Sequence, residues 1–439
     1  MAVDAAHASA PQVRKTHGRS PMLPHTRTVA GLIDPLYNGI VCFVVVIWLL
    51  GRRCAGRGRT KRFVSRFRIP IAAALWAVFL VLALAFVARF EDFAEMHDID
   101  DAVEAAAEGL VQGVNPYSEP IVPRFEKRYS PDVGWTYGTY NYLPFDLLVY
   151  TGARAVLGFL GHPFWFVSAN LAFGAVAWTI FQPLVRTRHI FYVPVAGTIT
   201  IFYTFDNAML TLMLLTMALY VGRRWHWHPR LLSIILLALA GLTKAYALLP
   251  FGIVALFELQ NGIAYRDKRR LAEIVIALAA SLVVAAALLL PFGADDVIDS
   301  ALLFHTSPES RVGTASGGTL LSELMGDAEH YSLIALGTML LPVILGLRLR
   351  NDLERVVFAS VVFLMVIPKS SYAPLTVPGL FLALWLRERA DAVASSLGQV
   401  GAAGAASFEG FGTGGRIEGD AAGTFASQVL TMRADDRHL

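Results

Sequence analysis

The sequence has little charge for its length. Of its 439 residues, 16% are Asp, Glu, Lys or Arg, whereas 55% are hydrophobic. Soluble chains carry about 25% charged residues, and apolar runs approaching the roughly 20 residues that a membrane helix needs recur along this chain. The composition therefore excludes an ordinary soluble protein and predicts an all-α, polytopic transmembrane protein that is embedded in the lipid bilayer.

The chain also lacks a disulfide framework, a secretory signal and a nucleic-acid-binding surface. Its two cysteines, Cys42 and Cys54, lie in an apolar run and in a basic loop. Residues 1–30 are polar, without a compact apolar stretch and a cleavage site, and we expect a disordered N-terminal tail. No basic groove with interleaved aromatic residues accompanies the net charge of +3, so we expect no nucleic-acid partner.

Apolar runs predict about eleven or twelve membrane segments. The run 231–257 is interrupted by Lys244 and Pro250, which predicts two shorter helices that meet at the break. The runs cover about 31–50, 69–89, 142–160, 164–183, 189–204, 207–222, 231–257, 272–292, 331–347, 356–367 and 374–386.

Three further boundaries follow from composition. Residues 31–68 form an extra N-terminal span with its basic loop, and residues 69–389 form the main transmembrane domain. From 390 to 439 the chain is rich in Gly, Ala and Ser without helical periodicity, so we expect a disordered C-terminal tail.

Loop charge predicts the orientation of the chain. Residues 51–68 contain eight Lys/Arg and no acid, which is typical of a cytoplasmic loop. Residues 90–141 contain eleven Asp/Glu and three Lys/Arg, and residues 293–330 contain seven acids and one base. We therefore expect two long outer loops and a multi-pass protein of the cell membrane.

One inconsistency concerns the number of crossings. With 90–141 outside and the basic segment 223–230 inside, an odd number of crossings must separate them, yet four apolar runs lie between. Our candidate for a non-crossing run is 189–204, as a re-entrant segment. The alternative is that 223–230 violates the charge rule.

The densest polar feature opens the first outer loop. Asp98, Asp100 and Asp101 precede an alanine-rich stretch of high helix propensity, which Gly113 and the Asn115-Pro116 pair end. Asp residues near a helix N-terminus are favoured by capping and by the helix dipole. That explains one or two of the three acids, and the cluster is therefore also a candidate for chemistry.

These residues belong to an ordered set of motifs that resembles integral-membrane glycosyltransferases of the C-type (GT-C) superfold. More narrowly, the set is similar to the polyprenyl-phosphate-mannose-dependent α-mannosyltransferases, over about residues 69 to 386. The motifs are Asp98, Ala102, Gly113 and Asn115-Pro116-Tyr117; Tyr140-Asn141-Tyr142-Leu143-Pro144-Phe145; Gly241-Leu242-Thr243-Lys244 with Pro250; and Pro368-Lys369 with Tyr372 and Pro378.

The resemblance implies transfer of a hexose, with mannose favoured, from a polyprenyl-phosphate carrier to an acceptor hydroxyl on the outer face. It also implies inversion at the sugar and an aspartate base. Asp98 fits the family pattern best, followed by Asp101 and Asp100. A single base is chemically sufficient, because a polyprenyl phosphate leaves as a stabilised anion, whereas glycoside hydrolysis needs a second carboxyl group to protonate its leaving group. The acceptor is a glycolipid or another glycan.

Cations for the donor phosphate are few. Lys244 interrupts an apolar run, Lys369 follows the run 356–367, and Arg311 is the single base of the second outer loop. We expect two of these three to neutralise the phosphate. The alternative for Lys244 is snorkelling to the membrane surface. Because a monophosphate can be met by Lys or Arg, we expect no required metal and no cofactor.

Other candidate residues have plain structural alternatives. His305 would bind the phosphate or orient the acceptor, or it lies in a solvated loop. Tyr117, Tyr140 and Tyr142 would stack on sugar or lipid headgroups, or they belong to an interfacial belt of aromatic residues. The pair 206–207, Asp-Asn, would line the acceptor cavity or cap a helix.

A transporter or flippase of lipid-linked saccharides is the main rival, and a non-catalytic scaffold subunit is a third hypothesis. A transporter predicts charged groups near the bilayer midplane and two repeated halves. This sequence places its acids in the expected outer loops and has no repeat of fixed period.

Overall fold

A computed structural model describes residues 98–119, 139–185, 206–225, 227–303, 351–366 and 376–409, with a few isolated positions elsewhere. Of this part, 84% is helical and none of it forms a strand, which confirms the helical class. The helices are α1 Asp98–Val111, α2 Pro144–Leu157, α3 Phe164–Leu184, α4 Ala208–Arg224, α5 Pro229–Gly241, α6 Leu248–Ala264, α7 Lys268–Leu289, α8 Ala294–Val297, α9 Asp352–Val366 and α10 Thr376–Glu409.

Three helical segments are long and apolar enough to cross a membrane. They are α3, the segment Ala245–Ala264 that contains α6, and the segment Lys268–Phe292 that contains α7. Helix α5 is apolar but has 13 residues. The described residues thus support a membrane protein. The predicted spans 31–50, 189–204 and 331–347 and most of 69–89 lie outside them.

Helix α1 has the bounds that its sequence predicts. It begins at Asp98, where the acids cluster, and ends at Val111. Gly113 follows with φ of 81°, a left-handed conformation that glycine adopts without steric cost. Asn115 then accepts a hydrogen bond from the backbone N–H of Tyr117 at 3.1 Å and fixes the turn.

Helices α3 and α4 run parallel. Helix α2 contacts the first half of α3, where the Tyr150 hydroxyl donates a hydrogen bond to the side-chain oxygen of Asn170. It also contacts the start of α4, where the Asn207 amide donates a hydrogen bond to Asp146. At the other end of both helices, Arg224 donates to the carbonyl of Pro183 at 3.3 Å. The two N-terminal ends therefore lie on one side of the bundle and the two C-terminal ends on the other.

Helices α4 and α5 form an antiparallel pair. Thr211 and Thr243 are hydrogen bonded at 2.7 Å near one end, and Ser233 donates to the carbonyl of Ala218 at 2.9 Å further along. Because α3 and α4 end where α5 begins, the start of α4 and the end of α5 share one side of the bundle. This side carries the polar residues described in the next subsection.

The opposite end of the bundle carries paired charges. Arg230 lies 3.0 Å from Glu258, which also meets Arg270 at 2.7 Å. Arg223 lies 3.2 Å from Asp352 at the start of α9. The basic segments around 223–230 and 265–270 thus lie together, as expected if both face the same compartment.

The predicted interruption of the run 231–257 is confirmed at Lys244. Helix α5 ends at Gly241, a short turn covers Ala245–Ala247, and α6 starts at Leu248. Pro250 is in the first turn of α6, where its missing N–H costs no hydrogen bond. The chain therefore bends back over a tight connection that leaves Lys244 at the end of the bundle.

The last helix differs from the sequence expectation. The chain divides into two compact units at Gly379, and α10 continues unbroken to Glu409. We expected no regular structure from residue 390. The alanines of the stretch 401–406, GAAGAA, have a helix propensity that outweighs the cost of its glycines.

Replacing Gly241 by alanine is expected to destabilise the protein. An added Cβ would lie 2.4 Å from Cδ2 and 3.0 Å from Cγ of Leu248, so the α5–α6 connection must shift. We expect a cost of about 1–3 kcal/mol, typical of overpacking, measured by thermal unfolding in detergent. Gly252→Ala is the matched control, because a Cβ there meets nothing within 4 Å. Equal stability of the two variants would contradict the tight connection.

Candidate functional site

Two motifs of the first predicted outer loop pack against each other. The backbone N–H of Tyr140 donates to the carbonyl of Pro116 at 2.7 Å, and the Tyr117 hydroxyl donates to the carbonyl of Tyr142 at 2.8 Å. The rings of Tyr117 and Tyr140 lie 5.7 Å apart, and those of Tyr140 and Tyr142 lie 5.4 Å apart, in edge-to-face geometry. All three tyrosines predicted for the site therefore lie together.

The same motifs contact the residue that precedes the second predicted outer loop. The Asn115 side chain donates to the carbonyl of Phe292 at 2.8 Å. The ring of Phe292 lies 5.3 Å from that of Tyr117. The middle of the first acidic loop is thus held beside the start of the second.

Asp146, at the start of α2, is a buried carboxylate that joins three segments. Its Oδ2 accepts hydrogen bonds from the Tyr140 hydroxyl at 2.8 Å and from the Asn207 amide at 2.7 Å. The side chain has no exposed surface. Since a buried carboxylate is costly without donors, these bonds fix the loop before α2 against the loop before α4.

Lys244 is ion-paired and nearly buried. Its Nζ lies 2.7 Å from Oδ1 of Asp206 and 4.8 Å from the ring centre of Tyr142, and the residue is 9% exposed. Asp206 also accepts the backbone N–H of Ala208 at 2.9 Å and caps α4. The structure thus favours a structural alternative for Asp206, and it does not show Lys244 snorkelling to the surface.

These residues form one group, which we name the polar cluster. It contains three tyrosines, two acids, one amide and one lysine, contributed by four separate segments of the chain. Its members are Tyr117, Tyr140, Tyr142, Asp146, Asp206, Asn207 and Lys244.

Two of the tyrosines are buried deeply enough for the pKa of their hydroxyl groups to rise. Burial raises the pKa of Tyr117 and that of Tyr140 well above 10, and the nearby charge of Asp146 raises both further. Both hydroxyls therefore stay protonated at physiological pH. They act as hydrogen-bond donors in the cluster, and neither is a base.

The acids of α1 lie at a second group, which we name the Asp-His cluster. Nε2 of His162 lies 3.1 Å from Oδ1 of Asp101 and 3.6 Å from Oδ2 of Asp100. Asp100 is fully buried, and Asp101 is partly buried. Asp98 is the first residue of α1, and its side chain lies outside the described part of the structure.

The rest of α1 is tied to α2 and α3. Arg154 lies 3.0 Å from Glu104 and 3.7 Å from Glu108, and the Trp165 indole N–H donates to Glu104 at 2.7 Å. A cavity of about 270 Å³ opens beside this face of α1. Its lining includes the acids Asp101, Glu104, Glu108 and Glu119.

Three predicted site residues cannot be compared with the geometry. His305, Arg311 and Lys369 lie outside the described residues. Their roles at the phosphate and the acceptor stay predictions, as does that of Asp98.

The sequence interpretation missed His162 and Asp146. His162 stands in a short Gly-His-Pro turn between two apolar runs and has no sequence neighbour of matching chemistry. Asp146 could have been predicted from the sequence, since an acid inside an apolar run of a membrane protein is by default a functional candidate. Its bonds to Tyr140 and Asn207 show why the position carries a carboxylate.

Comparison with known proteins identifies no family. No protein-family model matches the chain, and no curated protein matches it. The resemblance to GT-C mannosyltransferases therefore stays a prediction from the sequence motifs.

Breaking the pair between Lys244 and Asp206 is expected to destabilise the protein. Lys244→Met leaves the carboxylate without its cation, and Asp206→Asn keeps the helix cap but removes the charge. We expect about 3 kcal/mol for Lys244→Met, the low end for a buried pair because Asp206 is partly exposed. Chemical unfolding of both single variants and the double variant measures the coupling.

The more exposed pair of Arg387 and Asp391 on α10 is the matched control, with atoms 2.6 Å apart and side chains about one third exposed. Its coupling in Arg387→Met and Asp391→Asn is expected to be at most about 0.5 kcal/mol. A coupling between Lys244 and Asp206 no larger than this would contradict a buried ion pair at the site.

Proposed function

We propose that the protein is a multi-pass membrane glycosyltransferase that transfers a hexose, with mannose favoured, from a polyprenyl-phosphate carrier to an acceptor hydroxyl. The observation that carries the proposal is the polar cluster. Motif segments 115–117, 140–145 and 241–244 are far apart in the sequence, and their residues contact one another in the structure. An accidental match of separate motifs would not require such convergence.

The reaction needs one base and a stabilised leaving group. Asp98 takes the proton of the acceptor hydroxyl as the hydroxyl oxygen forms a bond to the anomeric carbon. The bond between that carbon and the phosphate oxygen breaks on the opposite face, and the polyprenyl phosphate keeps the electron pair. The configuration inverts, so a β-linked donor yields an α-linked product. Proton removal by a positioned carboxylate contributes about 10²–10⁴ in rate.

The ammonium group of Lys244 is held in a fixed position, which supports its proposed role in binding the donor phosphate. Asp206 and the Tyr142 ring hold its ammonium at the end of the bundle. Because Asp206 already offsets part of this charge, a donor phosphate needs a second cation, for which Arg311 and Lys369 are the candidates. The pairing of Lys244 with Asp206 therefore agrees with the expectation that two cations neutralise the donor phosphate.

The three tyrosines take different roles. Tyr117 and Tyr140 are at most 2% exposed and are hydrogen bonded to Tyr142 and Asp146. Tyr142 is less buried and lies under Lys244. We assign sugar or headgroup stacking to Tyr142, with Tyr117 and Tyr140 supporting it.

The helix arrangement supports a different solution to the crossing problem. Helix α2 has 14 residues, about 21 Å at 1.5 Å per residue, which is shorter than the roughly 30 Å hydrocarbon core. It packs against α1 and the first half of α3 and is hydrogen bonded to Asn207, which precedes α4, so it lies on one side of the bundle. In our proposal α1 and α2 lie along the outer membrane surface, and 142–160, in place of 189–204, is the run that does not cross.

Transfer of radiolabelled mannose from polyprenyl-phosphate-mannose in membranes tests the proposal. We expect Asp98→Asn to lower transfer by about 10²–10⁴-fold, the contribution of a general base. The control is Asp299→Asn, which removes an exposed carboxylate of the other predicted outer loop and is expected to keep wild-type activity.

Undiminished transfer in Asp98→Asn would move the base to Asp101 and then to Asp100. Absence of transfer by the wild-type protein, together with movement of a lipid-linked saccharide across reconstituted vesicles, would support the transporter hypothesis. Each outcome thus selects one assignment.

A further inference from the structure

We propose that Asp100, Asp101 and His162 bind a divalent transition-metal ion of the Zn²⁺ or Mn²⁺ class. The site joins the first turn of α1 to the turn between α2 and α3, two segments about 60 residues apart in sequence. It goes beyond the proposed transferase activity, because neither the donor nor the acceptor takes part in it.

The geometry is that of ligands around a common centre. One nitrogen of His162 and one oxygen of each aspartate all lie within 4.8 Å of one another. The two nitrogen–oxygen separations are 3.1 and 3.6 Å. Ligands about 2.1 Å from a metal lie roughly 3.0 Å apart at adjacent octahedral positions and roughly 3.4 Å apart in a tetrahedron. The two nitrogen–oxygen separations therefore match ligand spacing, and the separation of the two carboxylate oxygens, at most 4.8 Å, shortens on binding.

Both aspartates face the same nitrogen of His162. A single Nε2–H can point at one carboxylate, yet both carboxylates approach the same nitrogen. A metal ion is coordinated by all three atoms at once, and its positive charge offsets the negative charges of both aspartates.

The ligand set favours a particular class of metal. Imidazole suits Zn²⁺ and other transition metals, whereas Mg²⁺ and Ca²⁺ prefer oxygen ligands alone. Three protein ligands leave at least one coordination position for water. The mixed set of one nitrogen and two oxygens therefore selects Zn²⁺ or Mn²⁺ over Mg²⁺.

The surroundings supply access and an attractive field. Asp101 lines the acidic cavity of about 270 Å³, which is large enough to admit a hydrated ion. Arg154 lies against Glu104 and Glu108, so the neighbouring cation is paired with other acids of the same helix. A cation reaching the cavity meets carboxylates from α1 and from Glu119.

The ion has a structural role beside the base. It fixes the start of α1, where Asp98 is the first residue, against the loop that leads into α3. Our sequence expectation of no required metal concerned the charge of the donor phosphate, which Lys and Arg can meet. Here the metal orders the helix that carries the base and takes no part in sugar transfer.

Metal binding can be measured without any sugar donor. The full-length protein, purified in detergent with affinity tags removed and stripped with EDTA, is titrated with Mn²⁺. Electron paramagnetic resonance counts the bound ions, and pulsed detection of ¹⁴N coupling reports an imidazole ligand. We expect one tight site with nitrogen coupling, displacement of Mn²⁺ by Zn²⁺, and a rise in Tm with either metal but not with Mg²⁺ at the same concentration.

Three variants identify the ligands. His162→Ala is expected to lose the nitrogen coupling and to weaken Mn²⁺ binding at least about tenfold, as loss of one metal ligand implies. Asp101→Asn keeps the side-chain shape and is expected to weaken binding similarly. The control is His228→Ala, which removes a histidine 3.4 Å from Glu273 at the charged end of the bundle and is expected to bind as wild type does.

Each opposite result overturns the metal site. Wild-type protein without a stoichiometric Mn²⁺ site, or His162→Ala with unchanged coupling and affinity, would exclude these ligands. Equal stabilisation by Mg²⁺ would exclude imidazole ligation. Comparing the Tm of each metal-free variant with that of the metal-free wild type checks that the fold is retained. If His162→Ala fails to fold, Asp101→Asn still tests the site. These measurements use no sugar donor, so they stay valid even if the transferase proposal fails.

Discussion

The buried carboxylate of Asp146 is the interaction on which the arrangement of this protein depends. It lies at the start of α2 and accepts hydrogen bonds from Tyr140, before α2, and Asn207, before α4. A carboxylate in such a place is stable only while both donors reach it, so it fixes two loops that no covalent constraint joins. Tyr142 and Lys244 depend on the same geometry, since the loop that Tyr140 anchors places the ring beneath the ammonium.

This constraint also explains why the motifs are short and widely separated. Each motif within the described residues lies where a helix begins or ends, and helix termini are where backbone direction changes and polar groups can gather. Gly241 allows α5 to end against Leu248, which places Lys244 beyond the last turn and within reach of Asp206. The apolar helices act as a scaffold that brings these ends to one side, and the polar residues make the contacts there.

Local sequence signals predicted the elements better than the contacts between them. The start of α1 at Asp98, its end before Gly113 and the break at Lys244 all follow from capping, glycine conformation and a charge in an apolar run. The pairing of His162 with Asp100 and Asp101 spans about 60 residues and depends on how α2 folds back, which no periodicity encodes. The continuation of α10 to Glu409 was missed because glycine content masked the helix propensity of alanine.

In our proposals the three aspartates at the start of α1 divide two requirements that a single acid cannot meet together. A general base must have a free lone pair and a pKa suited to proton transfer, whereas a metal ligand gives its lone pair to the ion and is held deprotonated. Asp100 and Asp101 both approach His162, so our proposal assigns them to the metal and assigns proton transfer to Asp98, the first residue of the same helix. Three aspartates within four positions therefore need not be redundant. One helix start can supply both the base and the ligands that hold it in place.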